Sequence, residues 1–181
     1  KVDTSLLQYE VLSWNNLIKK YNNSEINFFA PLYGGRMGKN RMKIYNKIKD
    51  NGYSFISYIS SRSNIFTKNI GENCLILEGN TLQPFTRIGN NVSIWSNNHI
   101  GHHTVIEDHA TITSHVIISG NCTIGENSFL GVNSSIKDGI KLGKYSFIGM
   151  GANITRNTED ESVYTAIASE KRSISSLKLR Y

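Results

Sequence analysis

The sequence is poor in cysteine, in proline and in charge, and these shortages exclude several classes of protein. The 181 residues include only two cysteines, Cys74 and Cys122, so there is no disulfide framework and neither thiol has a partner at metal-ligand spacing. Charged residues make up 19% and hydrophobic residues 39%, which excludes a chain kept disordered by its own charge. No run approaches the roughly 18 apolar residues of a spanning helix, and no basic-then-apolar leader opens the chain. We therefore expect a soluble, cytoplasmic protein without a membrane span.

The chain carries a modest excess of positive charge. Twenty Lys and Arg residues against fourteen Asp and Glu residues leave a formal net charge of +6 at pH 7. This excess suits an anionic partner such as a phosphate-bearing cofactor. It is spread too evenly along the chain to predict nucleic-acid binding.

The strongest pattern is an aliphatic residue at every sixth position between residues 70 and 154. All fifteen positions hold Ile or Leu: Ile70, Ile76, Leu82, Ile88, Ile94, Ile100, Ile106, Ile112, Ile118, Ile124, Leu130, Ile136, Leu142, Ile148 and Ile154. Four places after the aliphatic residue comes a mostly small one, as at Cys74, Thr86, Val92, Thr104, Ala110, Val116, Cys122, Ser128, Ser134, Ser146 and Ala152. A helix cannot keep such a repeat on one face, and a simple strand repeats every two residues. We predict short strands and corners, with three hexads closing one triangular coil and both sets of residues inside.

The residues at the corners fit this prediction. Asparagine and glycine supply the backbone conformations with positive φ that β-branched residues avoid. Asn73, Asn91, His109 and Asn127 are each separated by one coil, so we expect them to stack as a ladder along one corner. The repeat would then form nearly five coils of a parallel β-helix.

A different pattern precedes the coils. Residues 5–21 carry one apolar face and predict a helix, and the basic segment 39–50 predicts a second one. Residues 26–32 and 53–59 predict buried strands. Helix–strand–helix–strand is the back half of a small nucleotide-binding α/β domain.

The front half of such a domain is missing from the sequence. No strand followed by a glycine-rich turn opens the chain, and residues 33–38 lack the spacing of a dinucleotide fingerprint. We expect a fragment or a shortened form of a longer chain. The predicted divisions are a partial α/β domain at 1–62, a β-helix at 63–160 and a C-terminal tail at 161–181.

Histidine is concentrated in one part of the β-helix. All five histidines fall within seventeen residues: His99, His102, His103, His109 and His115. His103, His109 and His115 share a corner position, where an exposed or packed ring needs no further function, and His99 fits a wall residue. Histidines six residues apart lie on different corners, so only a neighbouring subunit could complete a metal site, and we expect no metal.

His102 differs because of the residue one coil further on. That residue is Gly120, which would lie about 5 Å away, one strand spacing. An imidazole beside a backbone N–H with no side chain in the way is the minimum equipment for acyl transfer: a general base and a donor for the developing oxyanion. A further corner histidine without catalytic function is the alternative.

Repeats such as residues 124–129, Ile-Gly-Glu-Asn-Ser-Phe, resemble the hexapeptide transferases. The resemblance implies a mainly β fold, a left-handed parallel β-helix of hexapeptide repeats with a small, incomplete N-terminal α/β domain. The hand comes from the resemblance alone, since it is an exception to the right-handed crossover rule. Residues 98–106, 129–134 and 148–152 are similar to bacterial sugar acetyltransferases. Those enzymes N-acetylate nucleotide-linked amino sugars such as bacillosamine precursors, or O-acetylate sialic acid.

The resemblance also implies residue roles. It places the general base on His102, with His103 as the alternative one residue on, and the oxyanion or thioester contact on Gly120. Acetyl-CoA would lie in a groove between adjacent subunits of a homotrimer. Its matching contacts fall on Thr111, Gly120, Val132, Gly149, Met150, Gly151, Lys171 and Arg172.

Three departures from the family pattern affect these roles. The residue after the base is often acidic in relatives but is His103 here, so the partner that orients His102 is unassigned. Thr111 stands where some members carry a second histidine. Residues 166–172 replace the usual C-terminal Gly-x-Pro-Ala-Lys/Arg, so a phosphate contact by Lys171 and Arg172 competes with an exposed basic tail.

We therefore expect an acetyl-CoA-dependent acetyltransferase of surface glycan biosynthesis that acts on a nucleotide-linked amino sugar. No covalent acyl-enzyme is expected, because Cys74 and Cys122 occupy inward positions. The alternatives are O-acetylation of sialic acid or another polysaccharide sugar, a non-catalytic trimeric β-helix, and a zinc enzyme of the carbonic anhydrase type. Phe85 and Trp95 are candidates for a subunit interface or a substrate wall, unless they pack on the N-terminal segment.

Overall fold

The computed structural model describes residues 9–32 and 37–178, which contain two α-helices, one 3-10 helix and nineteen two-residue strands. The helices are α1 (Trp14–Lys20), α2 (Lys39–Asp50) and the 3-10 helix Ser176–Lys178. The strands are β1 (Asn27–Phe28), β2 (Ser54–Phe55), β3 (Tyr58–Ile59), β4 (Asn64–Ile65), β5 (Leu75–Ile76), β6 (Thr81–Leu82), β7 (Arg87–Ile88), β8 (Ser93–Ile94), β9 (His99–Ile100), β10 (Val105–Ile106), β11 (Thr111–Ile112), β12 (Ile117–Ile118), β13 (Thr123–Ile124), β14 (Phe129–Leu130), β15 (Ser135–Ile136), β16 (Lys141–Leu142), β17 (Phe147–Ile148), β18 (Asn153–Ile154) and β19 (Val163–Tyr164).

Strands β3 to β19 wind into a coil with three faces, each of which is a parallel β-sheet. Face 1 contains β3, β5, β8, β11, β14, β17 and β19; face 2 contains β4, β6, β9, β12, β15 and β18; face 3 contains β7, β10, β13 and β16. In the central coils each residue pairs with the one eighteen positions on, as Ile106 does with Ile124 and Ile118 with Ile136. The predicted eighteen-residue coil is therefore confirmed.

The interior of the coil is the aliphatic column that the period predicts. From Ile76 to Ile154 every one of the sixth-position aliphatics is at most 3% exposed, and Ile70 packs against them partly buried. The small residues four places later are buried as well, Cys74, Val92 and Ala110 among them. Each strand of two residues is stabilised because its aliphatic side chain stacks on those of the neighbouring coils along the narrow axis.

Three corners join the faces, and each repeats a residue with positive φ. Corner 1–2 has Gly79, Asn97, His115, Asn133 and Gly151; corner 2–3 has Phe85, His103, Asn121 and Gly139; corner 3–1 has Asn73, Asn91, His109, Asn127 and Tyr145. The predicted ladder at corner 3–1 is present. Asn73 Nδ2 donates to Asn91 Oδ1, and Asn91 Nδ2 donates to His109 Nδ1, both at 2.8 Å.

Helix α2 packs on corner 3–1 through buried polar contacts. Arg41 is 3% exposed and donates to Ser93 Oγ and to the Asn73 carbonyl, while Tyr45 donates to Glu72 at 2.6 Å. Burial lowers the pKa of Arg41 to about 10, because the charged guanidinium has lost much of its water. These contacts attach the N-terminal segment to the coil.

The N-terminal segment has its own aromatic cluster and corrects three expectations from the sequence. The residues of this cluster are Ala30, Tyr45, Ile48, Tyr53 and Phe55, with Trp14, Leu17, Ile26 and Phe28 packed against them. The predicted helix 5–21 is shorter, since α1 begins at Trp14, where Ser13 accepts a hydrogen bond from Asn16 N; residues 5–8 lie outside the described part. Helix 39–50 is confirmed.

The two strands predicted before the coil are also shorter than expected. Strand 26–32 is reduced to β1, because Ala30 N donates to Asn73 Oδ1 instead of to a neighbouring strand. Strand 53–59 divides into β2, which pairs with β1, and β3, which pairs with β5 of the coil. The chain changes partner between them, so one apolar run serves two sheets. Neither α-helix of the described chain is long and apolar enough to cross a membrane.

Candidate active site

His102 lies at corner 2–3, beside a column of residues with unusual backbone. It follows β9 and precedes His103, which adopts φ 58° in the same corner position as Phe85, one coil earlier. The rings of His102 and His103 are exposed, whereas Gly120 on the next coil is buried. The His102 backbone is held from both sides: its N–H donates to Gln83 Oε1 at 2.9 Å, and its carbonyl accepts from Asn121 N at 2.8 Å.

The imidazole of His102 covers Gly120, as the coil spacing predicts. A Cβ built on Gly120 would lie 2.7 Å from His102 Cε1, 2.8 Å from His102 Nε2 and 3.0 Å from Asp138 Oδ1. No side chain fits there without displacing the ring. The N–H of Gly120 finds no acceptor within the described residues. The corner therefore presents an imidazole and an unpaired peptide donor side by side.

Four side chains surround His102, and two of them, Gln83 and Asp138, were not assigned from the sequence. His103 Nδ1 lies 3.1 Å from His102 Nδ1, and Phe85 stacks on the His103 ring with centroids 4.8 Å apart. Gln83 and Asp138 complete the surroundings. The coil spacing could have found Asp138, because residues 102, 120 and 138 share one position of the coil. It could also have found the stacking of Phe85 on His103, because residues 85 and 103 share another.

Apart from Gly120, the residues suggested for acetyl-CoA lie elsewhere on the same protomer. Val132 and residues 149–151 are at corner 1–2, between β14 and β15 and between β17 and β18. Thr111 is on β11 of face 1. Lys171 and Arg172 are exposed after β19. One chain does not bring these residues to His102, so they remain predictions that need a second protomer.

Corner 1–2 has room for a ligand along its outer edge. Met150 is 72% exposed, and Val132 is half-buried. A cavity of about 370 Å³ lies just beyond, lined by residues that include Gly151, Ala152 and Tyr164. A larger, polar cavity of about 680 Å³ lies over face 3. Its lining includes Arg87, Glu107 and Lys144 but not His102.

The other histidines have structural surroundings. His109 is part of the corner ladder and packs edge-on against Tyr45, with ring centroids 5.4 Å apart. His99 is half-buried on β9, and His115 is exposed at corner 1–2. Within residues 9–32 and 37–178, no group of three or more His, Cys, Asp or Glu side chains is placed to hold a metal ion.

The two cysteines and one aromatic can be placed in the same way. Cys74 and Cys122 are buried in the coil, and burial raises the pKa of both thiols, which keeps them protonated and poor nucleophiles. Trp95 is half-buried and lines a cavity of about 320 Å³ with Leu32 of the N-terminal segment. Phe85 is 72% exposed beside the candidate base.

Comparisons with known protein families agree with this architecture. The family described as bacterial transferase hexapeptide (six repeats) matches residues 85–120, and the hexapeptide repeat of succinyl-transferase matches residues 121–156. The matched region contains His102, His103, Gly120 and Val132. Among curated protein sequences, none matches this chain.

Several solved structures share the fold. The acetyltransferase domain of PglB from Neisseria gonorrhoeae, solved with acetyl coenzyme A, has a TM-score of 0.79 at 17% identity over 90% of this chain and 78% of its own. WeeI from Acinetobacter baumannii gives 0.79 at 22% identity over 91% and 78%. A mutant of perosamine N-acetyltransferase from Caulobacter crescentus, solved with CoA and GDP-perosamine, gives 0.68 at 20% identity over 71% of this chain; the match spans 61% of that protein.

Fold and repeat together define the class. The coil is a left-handed parallel β-helix of the hexapeptide-repeat type, mainly β, with an α/β segment packed on one corner. Residues 85–156 match the hexapeptide repeats of transferases, and the chain has the fold of structures solved as acetyltransferases, one of them a perosamine N-acetyltransferase.

Proposed function

We propose that the protein transfers an acetyl group from acetyl-CoA to the amino group of a nucleotide-linked sugar. Two observations at Gly120 carry the proposal: its N–H has no acceptor among the described residues, and the His102 imidazole lies where a side chain of residue 120 would begin. A buried amide without a protein acceptor is uncommon, and one beside a solvent-exposed base is suited to bind a developing oxyanion. The structural neighbours solved with CoA and a nucleotide sugar support the same chemistry.

The two groups divide the work of a direct acyl transfer. His102 Nε2 accepts the proton of the sugar amine as the C–N bond forms, and the Gly120 N–H donates to the oxygen that becomes negative. As the C–S bond breaks, the proton held by His102 passes to the departing thiolate. A positioned general base contributes about 10²- to 10⁴-fold and one oxyanion donor about 10²- to 10³-fold.

The acyl donor would be held by more than one protomer. Val132, Gly149, Met150 and Gly151 occupy a different corner from His102, so a homotrimer that brings corner 1–2 of one subunit to corner 2–3 of the next would complete the site. Thr111, Lys171 and Arg172 are further candidates for contacts to the thioester arm and the phosphates. Such an enzyme would work in the bacterial cytoplasm, where acetyl-CoA is made.

The direct test is acetyl transfer by purified protein with acetyl-CoA and a panel of acceptors: nucleotide-linked amino sugars, free amino sugars and sialic acid. We expect turnover with a nucleotide amino sugar and a loss of at least about 10²-fold in kcat for His102→Ala. His109→Asn is the matched control, because that histidine belongs to the corner ladder under α2.

The outcomes distinguish the candidates. Turnover with sialic acid and not with amines would replace N-acetylation by O-acetylation while keeping His102 as base. Full activity of His102→Ala would remove His102 from the mechanism. If acetyl-CoA neither reacts nor raises the melting temperature, the protein is a non-catalytic β-helix, and a stoichiometric metal by elemental analysis would favour a lyase of the carbonic anhydrase type.

A further inference from the structure

The side chains of His102 and His103 form a hydrogen bond with each other. The two Nδ1 atoms are 3.1 Å apart, and the rings are nearly perpendicular, with an interplanar angle of 86°. Two imidazoles can share such a bond only when one Nδ1 carries a proton and the other does not. The bond therefore fixes the tautomer of both rings together.

The position of the His103 ring is itself fixed by the corner. Its backbone lies in the left-handed region at φ 58°, and its N–H donates to the Pro84 carbonyl at 3.2 Å. The Phe85 ring stacks on it at an interplanar angle of 29°. Phe85 itself has φ 65° and is 72% exposed, an arrangement that costs backbone strain without burying the ring. Strain of this kind persists at functional sites, where a side chain must be held in one place.

We propose that His103 is a positioning residue that acts through His102, an inference that rests on the proposed acetyl transfer. Neutral His103 accepts, at its Nδ1, a hydrogen bond from the Nδ1–H of His102. The unprotonated nitrogen of His102 is then Nε2, the atom that lies against Gly120. When His102 takes up a proton in the reaction, its Nδ1–H still points at an acceptor, which stabilises the imidazolium.

A histidine in this role differs from a carboxylate in one testable way. A carboxylate accepts at every pH at which it is ionised, whereas His103 accepts at Nδ1 only while neutral. Activity then requires both rings to be neutral. On acidification the logarithm of the activity therefore falls with a slope of up to two per pH unit instead of one.

The neighbouring coils contribute the other contacts of the pair. The coil before it contributes the uncharged Gln83, Pro84 and Phe85, and the coil after it contributes Gly120 and Asn121. A charged side chain that reaches this corner is that of Asp138, two coils on, whose Oδ1 and His102 Nε2 both lie within 3.0 Å of the position that a Cβ on Gly120 would take. Asp138→Asn is thus the control for a simple electrostatic effect.

The tautomer can be measured without any substrate, by two-bond ¹H–¹⁵N spectra of the full chain labelled with ¹⁵N-histidine. We expect His102 in the Nδ1–H form in the unaltered protein and in His103→Asn, because asparagine tolerates positive φ and its amide oxygen accepts without titrating. In His103→Ala we expect His102 to return to the Nε2–H form. An unaltered protein with His102 already in the Nε2–H form would overturn the proposal and leave the transferase function standing.

Kinetics provide the second readout. We expect kcat to fall about tenfold in His103→Ala, the equivalent of one lost hydrogen bond, and to recover in His103→Asn. The slope of log(kcat/KM) against pH should approach two on the acid side for the unaltered protein and for Asp138→Asn, and one for His103→Asn. Acid limbs of equal slope in the unaltered protein and His103→Asn would contradict the proposal. Absence of turnover in the unaltered protein would instead count against the transferase function, with the tautomer measurement still deciding the role of His103.

Discussion

Gly120 contributes to the candidate site by having no side chain. Its φ lies outside the left-handed region, so its backbone would accept alanine, yet a Cβ would lie 2.7 Å from the His102 ring. The ring is exposed and can move away, which makes the clash cheap for stability. The requirement for glycine at this position is therefore a requirement of the site more than of the fold.

We predict that Gly120→Ala lowers kcat by about 10²-fold or more, because the displaced imidazole no longer lies beside the peptide N–H. The melting temperature should change little. Gly139→Asn is the matched control: a Cβ there meets nothing within 4 Å, and asparagine tolerates its φ of 73°. Steady-state kinetics and thermal unfolding of both variants test this, and an active Gly120→Ala would contradict the geometry argued for His102.

At the scale of a single strand, the two adjacent isoleucines of β12 point to opposite sides of the sheet. Ile118 is fully buried in the coil axis, and Ile117 is 53% exposed on face 2. The residues are adjacent and chemically identical, so the difference between them isolates burial. The six-residue period derives its structural meaning from this alternation.

We predict that Ile118→Ala lowers the free energy of unfolding by about 2–5 kcal/mol, since it leaves a cavity between stacked aliphatics. Ile117→Ala should cost under about 1 kcal/mol. Denaturant unfolding at equal protein concentration compares the two. Equal losses would show that a partner covers face 2 in the assembled protein.

The ladder at corner 3–1 contains one member that titrates. Burial lowers the pKa of His109 below its usual value of 6.5, although Asp108 and Glu126 oppose the effect. His109 Nδ1 accepts from Asn91, and protonation would remove that acceptor. Within the part of the chain that the structure describes, the buried Asn127 Oδ1 has no hydrogen-bond donor.

We predict that the protein loses stability as the pH falls below about 6.5, because the unfolded chain then binds a proton at His109 more readily than the folded one. His109→Asn should flatten this dependence between pH 7 and pH 5. An asparagine there also provides an Nδ2 donor for Asn127 Oδ1, as in the coils before it. Urea unfolding across this pH range measures the slope, and an unchanged slope would assign the acid sensitivity to other groups.

At the scale of the whole molecule, the three corners differ in what they carry. Corner 3–1 binds α2, corner 2–3 presents His102 and Gly120, and corner 1–2 presents Val132 and residues 149–151. If the acyl donor contacts corner 2–3 and corner 1–2 together, it must lie between protomers. An oligomer that combines two different inactive variants should then regain activity.

We predict that His102→Ala and Val132→Trp, each inactive alone, regain about a quarter of full activity when unfolded and refolded together. In a random mixture about one site in four combines an intact His102 from one subunit with an intact groove from its neighbour. Each variant refolded alone is the control, together with its mass by light scattering. Absence of recovery in mixed trimers would place both residue sets within one protomer's site, or remove Val132 from it.

The sequence predicted the coil closely and the N-terminal segment poorly, and the difference has a physical cause. An inward position such as Ile112 is specified by its own coil and by identical neighbours eighteen residues away, so local pattern and tertiary contact agree. Residues 26–32 and 53–59 have no such repetition. Their strands end where Ala30 N and Tyr58 N find partners in the coil at Asn73 and Cys74, which no local pattern reveals.

The six-residue period by itself determined the coil, its aliphatic core, the ladder of corner residues and the approach of His102 to Gly120, because each follows from counting positions around one turn. Only the tertiary structure decided which imidazole nitrogen of His102 faces Gly120, that His103 Nδ1 lies 3.1 Å from His102 Nδ1 with Phe85 stacked on His103, and that Val132 and residues 149–151 lie on another corner. Those features depend on side-chain directions and on the order of three faces around an axis, and a one-dimensional repeat contains neither.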